Sequence, residues 1–116
     1  MDMKKKIKET LAPLNIPFAF ATRKENNFPF IIYNITSEKG YSYEEDEEMV
    51  TRYAITVTIY SKGNYEDIKN KIIDAMIEEG FIRANVPSCF YMEDIEVFSQ
   101  PIDFTYYDYQ KINDTK

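Results

Sequence analysis

The segment from Met49 to Phe81 constrains the fold of this chain more than any other part of its sequence. Apolar and polar residues alternate from Val50 to Tyr60, which is the pattern of an antiparallel β-strand with one covered face. A slip of one residue would exchange the two faces, so the sequence strongly specifies the register of this strand. The residues predicted to share the covered face are Tyr53, Ile55, Val57 and Ile59.

An amphipathic helix is predicted to follow the turn at residues 61–63. Asn64 is suited to cap its first turn, and Gly80 is suited to end it in a left-handed conformation. Ile73 and Ile77 lie to one side of the predicted core-facing stripe and widen it. Because a monomer gains little from that extension, both are candidate subunit-interface residues. The stripe itself consists of Ile68, Ile72, Ala75 and Met76.

The remaining segments complete a small α+β domain. Met3, Ile7 and Leu11 share one face of a predicted N-terminal helix, and strand patterns follow at residues 18–21 and 28–35. Residues 37–48 are predicted to form a loop or hairpin tip. The sequence thus predicts one domain over residues 1–116: an N-terminal helix, a three-stranded antiparallel sheet, an amphipathic helix packed on the sheet and one or two further C-terminal strands. The polar tail from about residue 111 is predicted to fray.

Composition argues against several classes of function. The 116-residue chain has a net charge of −6, no histidine and a single cysteine, Cys89. The acidic balance argues against direct binding of nucleic acid, and the missing histidine removes the usual catalytic triads and histidine-ligated metal sites. We therefore expect no enzymatic activity, no cofactor and no metal. No run of 18 or more apolar residues predicts a membrane span.

Five consecutive carboxylates form the sharpest candidate site: Glu44, Glu45, Asp46, Glu47 and Glu48. They lack the ligand spacing and central glycine of a helix–loop–helix calcium site, and no apolar neighbour raises one pKa for acid–base work. A solvated loop and an electrostatic surface role in an assembly both remain open.

Aromatic residues cluster near the C-terminus, at Tyr106, Tyr107 and Tyr109. Such rings can stack on nucleotide bases, but no basic residues are interleaved with them in the sequence. Packing at the edge of the sheet or contact between subunits is the preferred interpretation. Tyr107 and Tyr109 are therefore further candidate interface residues.

The run from Tyr53 to Gly63, with the helix and the Gly80-Phe81 pair that follow it, resembles the tail terminator proteins of long-tailed bacteriophages. These are also called tail-completion or head–tail joining proteins, and they occur in prophages too. Residues 30–33 before the acidic loop, and residues 91–94 before the aromatic run at 104–106, resemble further parts of that family. The resemblance covers most of the chain, from about Lys4 to Tyr109.

The resemblance implies a structural protein of the virion tail, assembled in the bacterial cytoplasm. Its subunits would form a homo-oligomeric ring, commonly a hexamer, that caps the tail tube, stops its polymerisation and joins it to the head connector. DNA would pass through the lumen without specific binding. In such a ring the acidic segment 44–48 either faces the lumen or orders on meeting a partner ring.

Two other classes of function remain open from the sequence. The chain could be an acidic protein-binding module, for example an inhibitor of a DNA-binding protein, although five of its 20 acidic residues lie in one short run. An enzyme is the weakest alternative, because only the carboxylate run supports it.

Overall fold

The computed structural model describes residues 1–22, 27–43 and 48–111. Two α-helices and six β-strands make up this part of the chain, with a short 3₁₀ turn at Ala12–Leu14. In chain order the elements are α1 (Met3–Leu11), β1 (Phe18–Phe20), β2 (Phe30–Tyr43), β3 (Glu48–Ser61), α2 (Glu66–Glu78), β4 (Ile82–Asn85), β5 (Phe90–Met92) and β6 (Val97–Lys111).

All six strands belong to one mixed sheet, so the prediction of a three-stranded antiparallel sheet is wrong. The strand order is β1-β2-β3-β6-β4, and β5 also pairs with β6. Only β1 and β2 run parallel; the other pairs are antiparallel. The sequence pattern underestimates the sheet because β1, β4 and β5 have three or four residues each, too few for a clear alternation.

The predicted loop at residues 37–48 is largely strand. β2 continues to Tyr43, eight residues beyond its predicted end, and β3 begins at Glu48. One extra residue, Thr36, forms a β-bulge, because Ile35 pairs with Ile55 whereas Ser37 pairs with Ala54. The polar residues beyond the bulge give no apolar alternation, but they pair regularly with β3 and so extend the sheet.

The hydrophobic core lies between the two helices and one face of the sheet, here called the inner face. The predicted covered face of β3 is confirmed, since its residues at 53, 55, 57 and 59 are all 5% exposed or less. The predicted buried face of α1 is confirmed as well. Core residues from the helices are Met3, Ile7, Leu11, Ile72, Ile73 and Met76, and those from the sheet include Ile31, Tyr33, Ile102 and Phe104.

Gly80 ends α2 as predicted, whereas the N-cap position is Tyr65, one residue after the predicted Asn64, and its side chain makes no capping hydrogen bond. The backbone N–H of Glu66 donates to Asn64 Oδ1 at 2.9 Å, and Gly80 has a φ of 95°. The N–H of Phe81 then donates to the Met76 carbonyl at 3.0 Å, the six-to-one hydrogen bond of a Schellman turn. Neither described helix has the length and apolar character of a membrane-spanning segment.

A buried amide joins the two short strands at the edge of β6. Gln100 is 3% exposed, and its Nε2 donates to the carbonyls of Pro87 and Pro101 at 2.8 Å each. Pro87 lies in the connection between β4 and β5. Since both β4 and β5 pair with β6, this side chain fixes their connection against the strand that they share.

Candidate functional site

Three strands extend past the rest of the sheet and form what we call the arm: residues 37–43 of β2, 48–53 of β3 and 106–111 of β6. β1 pairs with β2 only up to Tyr33, and β4 pairs with β6 only up to Thr105. In the part of the chain that the structure describes, no other strand lies beside the arm. The molecule is accordingly elongated, with extents of 57 × 25 × 25 Å.

The face of the arm turned away from the helices, its outer face, combines aromatic and basic side chains. The pairing register places them in two successive rows, because residues that pair across strands share a face. Tyr109 is 68% exposed, and Tyr41 and Tyr107 are each 40% exposed. The first row is Lys39, Arg52 and Tyr107, and the second is Tyr41, Val50 and Tyr109.

Lys39 and Arg52 are the two cations of these two rows. Among residues 1–22, 27–43 and 48–111, neither Lys39 nor Arg52 forms an ion pair. Lys39 Nζ instead lies 5.4 Å from the centroid of the Tyr41 ring, within the range of a cation–π contact. The rings of Tyr107 and Tyr109 are 6.4 Å apart. The outer face therefore offers unpaired positive charge beside exposed rings.

The inner face of the arm carries the opposite charge. Burial, together with the nearby carboxylates of Glu38 and Asp108, raises the pKa of Tyr53 above its usual value of 10.0. Successive residues of a strand point to opposite faces, so Glu38 lies on the inner face and Lys39 on the outer one. In this part of the arm, the alternation of single residues thus places Glu38 and Asp108 on the inner face and Lys39 and Arg52 on the outer face.

A polar depression of about 230 Å³ lies at the base of the outer face. Arg52 contributes to its wall, and within it the Thr56 hydroxyl donates to Asp103 Oδ1 at 2.8 Å. Thr105 also lines the depression and is only 7% exposed. Within the described ranges its hydroxyl has no hydrogen-bond partner.

A second concave surface lies between the two helices, and we call it the helix groove. Its volume is about 400 Å³. Four carboxylates and one ammonium group line it, and its apolar lining includes Pro13, Leu14 and Ala75. The charged residues are Glu9, Asp74, Glu78, Glu79 and Lys71.

The predicted interface residues separate into three environments. Tyr107 and Tyr109 are exposed on the outer face of the arm, and Ile77 is 50% exposed on α2. Ile73 is only 8% exposed and belongs to the core. The interpretation of Ile73 as surplus surface is therefore wrong, because its side chain already packs within the subunit.

The predicted acidic site falls mainly outside the described residues. Glu44 to Glu47 are not described, and Glu48 is the first residue of β3. Among the residues that the structure describes, no three side chains of His, Cys, Asp or Glu lie together in a way that could hold a metal ion. Cys89 is half-buried, and a hydrogen bond to it, with burial, raises the pKa of Tyr65.

The sequence pattern missed the basic half of the outer face. Lys39 and Arg52 are 68 and 55 positions from Tyr107 along the chain, and only the pairing of β2, β3 and β6 brings them into one row. The spacing of Lys39 and Tyr41 at i and i+2 was a weak signal for one strand face. The objection that no basic residues accompany the aromatic cluster therefore no longer holds.

No protein-family model matches the chain, and a search of curated proteins finds no match.

Proposed function

We propose that this chain is a structural subunit that assembles into a ring, caps the tail tube of a long-tailed bacteriophage and joins the tail to the head connector. The observation that carries the proposal is the arm, which exposes three tyrosines on a sheet extended beyond the body. Tyrosine is enriched at protein interfaces because its ring buries a large apolar area while its hydroxyl tolerates water. The arm is thus suited to contact another protein chain.

The positions of the exposed residues favour a closed ring over a symmetric pair. A ring is built from heterologous contacts, in which two different patches of neighbouring subunits meet. Tyr107 and Tyr109 lie on the outer face of the sheet, whereas Ile77 lies on α2, which covers the inner face. An exposed aromatic cluster and an exposed isoleucine thus lie on opposite sides of one subunit, as contact between two different surfaces requires.

The family resemblance supplies the bacteriophage part of the proposal. The residues that carry it, from Tyr53 to Gly63 and at Gly80-Phe81, belong to β3, to the turn after it and to the end of α2. Together these elements contribute much of the core. The resemblance therefore concerns the framework of the subunit, while the arm provides its assembly surface.

The proposal is tested by assembly of the full chain, alone and with the tail tube protein of the same phage or prophage. Size-exclusion chromatography with light scattering should detect a ring, and electron microscopy should show shorter tubes when the chain is added. A protein that stays monomeric at every concentration, and that neither binds tubes nor limits their length, would overturn it.

A matched pair of variants tests the role of the arm. Tyr107→Ser with Tyr109→Ser should abolish the ring while the monomer still unfolds cooperatively. The control is Tyr91→Ser, since Tyr91 is a comparably exposed tyrosine, 43% accessible, on the hairpin of β5 and β6. Equal loss of assembly in both would mean that the arm has no special role.

A further inference from the structure

We infer that the outer face of the arm of one subunit docks on the helix groove of a second copy. The inference rests on the proposed function and adds to it the two surfaces that meet. The arm supplies Lys39 and Arg52 beside exposed tyrosines, and the groove supplies four carboxylates against one ammonium group. The partner is thus another molecule of this chain, recognised by opposite charge.

The outer face is built to receive a carboxylate. The Arg52 guanidinium presents planar N–H donors that suit a carboxylate, often in a bidentate pair, and it forms no ion pair within the described residues. Thr105 lines the same depression, and within the described residues its hydroxyl has no hydrogen-bond partner. Asp103 lines the same depression, with its Oδ1 held by the Thr56 hydroxyl, so an incoming carboxylate would bind at the Arg52 side, where its oxygens would accept hydrogen bonds from Arg52 and Thr105.

The helix groove matches the arm in charge and in polarity. Glu78 and Glu79 lie at the end of α2 and are exposed, so they are free to reach a neighbouring molecule. Pro13 and Leu14 give the groove an apolar lining that can take a tyrosine ring. Lys71 is the one opposing charge, and it leaves the groove negative.

The two surfaces cannot meet within one molecule. The outer face is turned away from the helices, while the groove lies between the helices on the other side of the sheet. Each copy therefore has one surface of each kind left over, and head-to-tail repetition closes a ring where the rotation permits.

Nucleic acid is a poorer match for the outer face. Binding along a phosphate backbone relies on several lysine or arginine contacts, whereas these two rows hold only Lys39 and Arg52. The whole chain carries a net charge of −6, which repels a polyanion.

Charge reversal on each surface tests the inference. The arm variant is Lys39→Glu with Arg52→Glu, and the groove variant is Glu78→Lys with Glu79→Lys. Each variant alone should weaken self-association on the order of a hundredfold in dissociation constant. Mixing the two variants should restore assembly, because each reversed surface then meets an opposite charge. The chain that carries all four substitutions should also assemble.

The outcomes separate this inference from the proposed function. If the wild-type chain assembles and both variants assemble equally well, the arm–groove contact is wrong while the ring proposal stands. If the variants fail and mixing does not rescue them, charge pairing between these surfaces is also refuted. Retention of single-stranded DNA by the wild-type chain, lost in the arm variant alone, would assign the face to nucleic acid instead.

Discussion

Replacement of Ile73 by alanine measures how firmly α2 is anchored to the sheet. The side chain is 8% exposed and lies in the core cluster with Ile72 and Met76. Removing three buried carbons costs about 2.4 kcal/mol, at roughly 0.8 kcal/mol for each, and the cavity left behind adds to this loss. We expect the free energy of unfolding to fall by about 2–4 kcal/mol.

Ile77→Ala is the matched control on the same helix. Its side chain is 50% exposed, so the transfer loss is about half as large, near 1.2 kcal/mol. The higher helix propensity of alanine offsets a few tenths of a kcal/mol in both variants and so leaves their difference unchanged. The two variants should therefore differ by about 2 kcal/mol.

Urea denaturation followed by circular dichroism measures both losses, at a protein concentration where the wild type is monomeric. If the midpoint shifts while the dependence of the free energy of unfolding on urea concentration stays the same, the loss arises in the folded subunit. Equal losses in the two variants, or a loss below about 1 kcal/mol for Ile73→Ala, would refute the assignment of Ile73 to the core.

Three further predictions concern the backbone, a buried amide and pH. Gly80→Ala should destabilise the chain by about 1–2 kcal/mol in urea denaturation, because its φ of 95° is unfavourable for alanine, while the new Cβ would only make van der Waals contact with Tyr106 Cε1 at 3.4 Å. Gly63→Ala, whose Cβ meets nothing within 4 Å, should change stability by less than about 0.5 kcal/mol. Gln100→Leu should cost about 1–3 kcal/mol by removing the donor to the Pro87 carbonyl, and an unchanged midpoint would contradict this. Because the pKa of Tyr53 is raised in the folded chain, its contribution to the free energy of unfolding is complete below the unfolded pKa near 10 and is lost as pH rises through the folded pKa. The urea midpoint should fall over that pH range, and it should fall less steeply with pH in Tyr53→Phe. An equally steep fall in both proteins would count against the raised pKa.

The sequence predicted the elements whose periodicity is long enough to read. β3 alternates over more than ten residues, and its covered face was identified correctly. Gly80 marked the end of α2, and Asn64 its start to within one residue, because capping is a local property of the backbone. The burial of α1 followed from three apolar residues spaced four apart.

The rest of the fold depends on contacts between distant segments. All four residues of β4 are exposed, so no pattern of burial marks it as a strand. Beyond Thr36, β2 is polar, and only its pairing with β3 makes it strand rather than loop. Ile73 was misjudged because neighbouring elements, not helix periodicity alone, decide how wide the buried face of α2 is.

The sequence predicted the aromatic residues of the candidate site but not its basic residues. Tyr107 and Tyr109 stand out in the chain as an aromatic cluster, but Lys39 and Arg52 join them only through the strand register. The position of Thr105, whose hydroxyl has no partner in the described part of the chain, depends on the packing around it. No property of the linear sequence marks that threonine as different from its neighbours.

The β-bulge at Thr36 makes this point of the chain tolerant of a change in length. The residue is the extra one between the pairs Ile35–Ile55 and Ser37–Ala54. Loss of its codon would leave Ser37 next to Ile35 in a regular ladder, with every later pair and the side-chain directions of the whole arm unchanged. The middle of β3 has no extra, unpaired residue, so a deletion there would turn the side chains of the following residues to the opposite face. We therefore expect insertions and deletions among relatives of this protein to be more frequent at the bulge than within β3.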